Sequence, residues 1–84
     1  MSKKDKLVER LKQRPRDFTW SELERLLGSM GYTERKKGKT GGSHRKFVHA
    51  NAPVIALHKP HPGEILKAYQ VDQVLETLEK AGLL

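Results

Sequence analysis

The sequence predicts an α+β fold: a three-stranded antiparallel sheet with helices packed on one face, preceded by an N-terminal helical extension. Three observations lead there. A capped amphipathic helix occupies Thr19 to Gly31, and two strand-like runs joined by a glycine-rich loop follow it, with the apolar run "VIALH" behind them. An apolar stripe at helical spacing then closes the chain. A small sheet must bury one face, and helices before and after it in sequence can cover that face.

Each element has a local cause. From Lys3 to Gln13, Leu7, Val8 and Leu11 fall at helical spacing, and Pro15 ends the run. "TWSELERLLGSMG" opens with Thr19 and has Glu22 three residues later, a capping box. Trp20, Leu23, Leu26, Leu27 and Met30 share one face of that helix, Phe18 can staple to Leu23, and Gly31 supplies the stop. "GYTERKK" at 31–37 and "SHRKFVH" at 43–49 read as hairpin arms around the turn residues "GKTGG". "NAP" at 51–53 is a second turn, and "VIALH" at 54–58 is the third strand. Val71, Val74, Leu75 and Leu78 mark the last helix, stopped by Gly82. The order is α-α-β-β-β-α in a single domain over 1–84, with 1–17 as the helical extension and 18–84 as the core.

Strand alternation assigns the faces. Arg45 and Phe47 fall on one side, and His44, Lys46 and Val48 on the other. Phe47, with Ile55 and Leu57, makes the better core side. His44 and Lys46 then point away from the helices, and His58 shares that outer face with Val54 and Ala56.

The bulk numbers narrow the function. At 84 residues the chain is one small domain at most, and its lack of cysteine excludes a disulfide scaffold and the cysteine zinc sites. No apolar run reaches the roughly 18 residues of a membrane span. "MSKKDKLVERLKQR" has no apolar region of a secretory signal, so a cytoplasmic protein without membrane association is expected. The net charge of +7 and pI near 9.9 favour a polyanionic partner, nucleic acid or an acidic protein. That charge is concentrated: Glu34 to Lys46 holds six Lys or Arg and one Glu, an excess of +5.

The same segment contains "KKGKTGGSHRKF", residues 36–47. Its glycines let a ligand approach the backbone, where successive amides can form an anion-binding nest. Lys36, Lys37, Lys39, Arg45 and Lys46 surround that loop with charge. Glycine and lysine are equally ordinary in a soluble hairpin tip. His44 distinguishes the segment, since an imidazole exchanges protons near neutral pH. Beside a phosphodiester it can accept the proton of a ribose 2′-OH or protonate the leaving 5′-oxygen, with neighbouring cations stabilising the phosphoryl charge. RNA is then required, because DNA lacks the 2′-OH. His49, His58 and His61 are less distinctive. No carboxylate or thiol stands beside the histidines at ligand spacing, so no metal site is read. Trp20, Tyr32 and Tyr69 are the residues able to stack on bases, although Trp20 reads better as core.

"GGSHRKF", then a short strand, then "PHPGEILKAYQVDQVLETLEKAGL", resembles the HicA family of bacterial toxin RNases. "FTWSELERLLGSMGY" extends the resemblance, which covers the chain from Phe18 onward. It implies a double-stranded-RNA-binding-like fold and an endoribonuclease that cleaves mRNA without a metal or other cofactor. It also implies a toxin that is monomeric alone and is neutralised by a HicB-type antitoxin covering the active face. The family histidine falls on His44, and Gly42 and Ser43 match the rest of its G-S-H motif. His61 and Pro62 match a second element with a supporting role. His49, His58 or Lys46 could complement His44. The alternative to an enzyme is a non-catalytic module that binds double-stranded RNA by shape and charge.

Overall fold

A computed structural model of the chain describes residues 3–36, 44–60 and 63–84. The described elements are α1 (Lys3–Lys12), α2 (Trp20–Ser29), β1 (Thr33–Lys36), β2 (His44–His49), β3 (Ala52–His58) and α3 (Ala68–Lys80). The strands form one antiparallel sheet in the order β1-β2-β3, which is the α+β arrangement the sequence predicts.

The helix ends follow their sequence signals. Thr19 Oγ1 accepts from the Glu22 N–H at 3.2 Å, and Glu22 Oε1 accepts from the Thr19 N–H at 3.0 Å, completing the capping box of α2. At its other end the Gly31 and Tyr32 amides donate to the Gly28 and Leu27 carbonyls. This closure needs a left-handed residue, and Gly31 supplies it at φ 96°. α3 ends in the same way through Gly82 and Leu83. Arg14, at φ 51°, turns the chain out of α1 immediately before Pro15.

One strand differs from expectation. β3 begins at Ala52, two residues earlier than the "VIALH" run, because His49 pairs with Ala52 across a turn at Ala50 and Asn51. Pro53 therefore lies inside a strand. It is tolerated because β3 is an edge strand, where a missing N–H need not break a ladder.

The helices cover one face of the sheet. Phe47, Ile55 and Leu57 are buried on that side with Trp20, Leu23, Leu26, Leu27, Val71, Val74 and Leu78. The Trp20 and Phe47 rings meet at 5.6 Å with planes tilted by 45°. Phe18 and Leu23, the expected staple, are both fully buried in this cluster. Leu11 of α1 is also fully buried, so the N-terminal helix contributes to the core. A backbone bridge between Thr19 and Ile65 ties the entry of α2 to the segment before α3. In it the Trp20 N–H donates to the Glu64 carbonyl and the Leu66 N–H to the Phe18 carbonyl, each at 2.8 Å.

A charge cluster joins α1 to the cap of α2. Arg10 Nε donates to Glu22 Oε2 at 2.7 Å, and Arg10 Nη2 donates to Asp17 Oδ1 at 3.0 Å. The Arg10 hydrogen bond holds the Glu22 carboxyl below the usual glutamate range, burial opposes it, and Thr19 adds to the lowering. A depressed folded-state pKa gives stability that is complete above the unfolded value, about 4.3, and lost as pH falls through the folded one. Glu22→Gln keeps the capping geometry and removes the charge. It is expected to lower unfolding free energy at pH 7 by about 1 kcal/mol, a partly exposed pair being screened. Urea melts at pH 7 and pH 3 check this: the deficit should shrink at acid pH, and a deficit unchanged there would exclude the charge as its cause.

Candidate active site

The face of the sheet away from the helices holds the candidate site. Register places Lys46 of β2 between Arg35 of β1 and Ala56 of β3, and His44 opposite His58. Arg35, Lys46, Val54 and His58 are exposed on this face, with Val48 and Ala56 partly so. Lys46 thus lies on the outer face, as alternation predicts, and the reverse side of the same strand is anchored by Phe47.

The predicted residues do not all converge. Arg45 lies on the opposite face from Lys46, partly buried, with its Nε 3.5 Å from Glu34 Oε2. Strand alternation separates it from its neighbours in sequence. Lys36 ends β1 and pairs with Arg45 by backbone register. Lys37, Lys39, Gly42, Ser43 and His61 lie outside the described residues. Arg35, which drew no attention within a run of basic residues, stands beside Lys46.

His49 sits at the far end of β2, five residues and about 16 Å of strand from position 44. Its Nδ1 accepts from the Asn51 N–H at 2.9 Å, so the proton is on Nε2, which donates to the Met30 carbonyl at 2.9 Å. The ring packs on Tyr32 with centroids 4.9 Å apart. Both nitrogens are spent on joining two turns. A Cβ on Gly31 would lie 3.0 Å from His49 Nε2, at a φ that side chains rarely adopt. Gly31→Ala is therefore expected to lower unfolding free energy by about 1–2 kcal/mol in urea melts. A variant as stable as the parent would contradict the account of this junction.

The aromatic residues also separate. Tyr32 is buried and donates its hydroxyl to the Pro53 carbonyl at 2.9 Å, and burial pushes its pKa up. With Trp20 it belongs to the core, so neither is a stacking platform. Tyr69 is 61% exposed and remains available on α3.

Two residues that the sequence reading passed over hold the edge of the site. Gln70 of α3 is buried, donates Nε2 to the His58 carbonyl at 2.8 Å, and accepts the Lys67 N–H at 3.0 Å. Gln73 Nε2 reaches the Ala56 carbonyl at 3.3 Å. The available signal was a polar residue on the apolar stripe, four positions before Val74.

Residues 20–83 match the family model described as the HicA toxin of bacterial toxin–antitoxin. The chain belongs to the HicA toxin family. No curated protein and no solved structure matches it. The matched residues span α2, the sheet and α3, and they begin after α1. Three helices around a three-stranded antiparallel sheet agree with the double-stranded-RNA-binding-like fold expected of HicA toxins. Membership in a toxin–antitoxin family implies an antitoxin as partner of this HicA toxin. Among the described residues no helix is long and apolar enough to cross a membrane.

Proposed function

We propose that this toxin is an endoribonuclease that binds mRNA across the outer face of the sheet and cleaves it with His44 as a proton-transfer group. The observation that supports the reading best is the register of residue 44: it is the backbone partner of the exposed His58, in the strand that presents Lys46 on the face without helices. The +7 net charge suits a polyanionic substrate, and Arg35 and Lys46 are the described cations positioned to meet phosphates there. Lys37, Lys39, Gly42 and Ser43 complete the proposed RNA contacts, with His61 in a supporting role, while Arg45 and its register partner Lys36 are set apart from this face by strand alternation. Imidazole can carry both proton transfers, so the reaction needs neither metal nor cofactor. A HicB-type antitoxin in the bacterial cytoplasm neutralises the toxin by covering this face.

The second reading is a module that holds duplex RNA by shape and charge without cleaving it. Salt-sensitive binding is common to both readings and does not separate them. Purified toxin incubated with RNA in EDTA does. Cleavage is expected to persist in EDTA. RNA that is bound and remains intact would favour the module, and cleavage abolished by EDTA would overturn metal independence.

A further inference from the structure

We infer that His58 is the second proton-transfer group of this site and that Gln70 is its positioning residue; the inference rests on the ribonuclease reading above. Strand register is the first ground. His58 is the direct partner of His44 in the antiparallel β2–β3 pair. Directly opposed positions are the cross-strand neighbours of an antiparallel pair. His58 is also exposed, so a phosphodiester lying over the sheet can reach it.

Elimination is the second ground. His49 lies at the other end of β2, and both of its nitrogens bond to backbone groups. Lys46, as an ammonium, offers donors and no acceptor, which suits it to phosphoryl charge. Among the described residues, the charged groups that register and ion pairing place near His58 include Lys46 and Arg35 farther along the same face and the Lys59–Glu64 pair at 3.3 Å just beyond β3, with position 44 across the strand pair. From α3, the uncharged Gln70 and Gln73 reach the strand backbone here.

The third ground is the attachment of the strand end. An edge carbonyl can be satisfied by water. The carbonyl of His58 is instead held by a buried glutamine whose oxygen is fixed by the Lys67 amide. That link sets the end of β3 against α3 at the residue that faces position 44.

The chemistry balances with two imidazoles. The neutral one takes the proton of the ribose 2′-OH as that oxygen bonds to phosphorus. The P–O5′ bond breaks, and the imidazolium gives its proton to the departing 5′-oxygen. The products are a 2′,3′-cyclic phosphate and a 5′-hydroxyl, and solvent restores the two protonation states.

The test is single-turnover cleavage of a short RNA by the full chain in EDTA across pH 5 to 9. Wild type, His44→Ala, His58→Ala, His58→Gln and Gln70→Met are compared, with binding measured separately and folding checked by circular dichroism. The wild-type profile should be bell-shaped. Both His58 variants should lose about 100- to 10,000-fold in rate, bind RNA within about threefold of wild type, and lack one limb of the bell. His58→Gln guards against a packing effect of the alanine. Gln70→Met should lower the rate about tenfold at unchanged affinity while keeping both limbs, the signature of misplacement (about 1.4 kcal/mol of barrier). If either folded His58 variant cleaves within threefold of wild type or keeps both limbs, the inference is overturned while the ribonuclease reading stands. An undiminished rate in Gln70→Met removes its positioning role alone. An inactive wild type defeats the ribonuclease reading and the inference with it, whereas a fully active His44→Ala removes His44 from the mechanism and overturns the paired-histidine inference while RNA cleavage stands.

Discussion

His44→Ala is expected to slow RNA cleavage by about 10²- to 10⁴-fold while leaving RNA affinity within about threefold. The two parts have different origins. Affinity for RNA is set mainly by neutralised phosphates, and position 44 carries none of the formal +7 charge. The rate depends on a proton leaving the 2′-OH and another reaching the 5′-oxygen, and an alanine can do neither. A loss of that size is about 3–5 kcal/mol of transition-state stabilisation. Initial rates with excess toxin, alongside filter binding at two or more salt concentrations, separate the terms. The salt slope should match the parent, because the cations are untouched. An equal rate would remove His44 from the mechanism. A weaker complex with an unchanged rate in the bound state would make it a binding residue instead.

Much of the fold could be read along the chain because its signals are local. The Thr19–Glu22 capping box, the Gly31 and Gly82 stops and the apolar stripe of α3 each act within a few residues. Alternation was enough to place Phe47 inward and position 46 outward, because one aromatic residue fixes the register of a short strand. What could not be read were contacts between distant segments. The Thr19–Ile65 bridge and the grip of Gln70 on the His58 carbonyl leave no periodic trace. Tyr32 looked available for stacking until the sheet folded back and presented the Pro53 carbonyl. In the basic run only alternation tells Arg45 from Lys46, and a partner such as Glu34 is specified by the strand pairing alone.

Trp20→Ala is expected to remove about 3–5 kcal/mol of stability, the range for deleting a buried large aromatic. A chain of 84 residues has roughly 4–13 kcal/mol in total, so the variant loses a large share of its margin and is partly unfolded at 25 °C where the parent lies at the lower end. Trp20 is 1% exposed and opens α2, its ring packs on Phe47, and its amide donates to Glu64. One residue thus joins the helix, the sheet and the segment leading into α3. The consequence reaches the outer face. Phe47 lies on the inner side of the strand whose outer side bears Lys46, so slack behind Phe47 loosens the registry that pairs residue 44 with His58. Trp20→Phe, which keeps a ring in the cavity, should cost less and preserve activity at low temperature. Urea melts combined with cleavage assays at 10 and 30 °C check both variants. If Trp20→Ala unfolded with a deficit under about 1 kcal/mol, the Trp20–Phe47 contact could not be what fixes the site from behind.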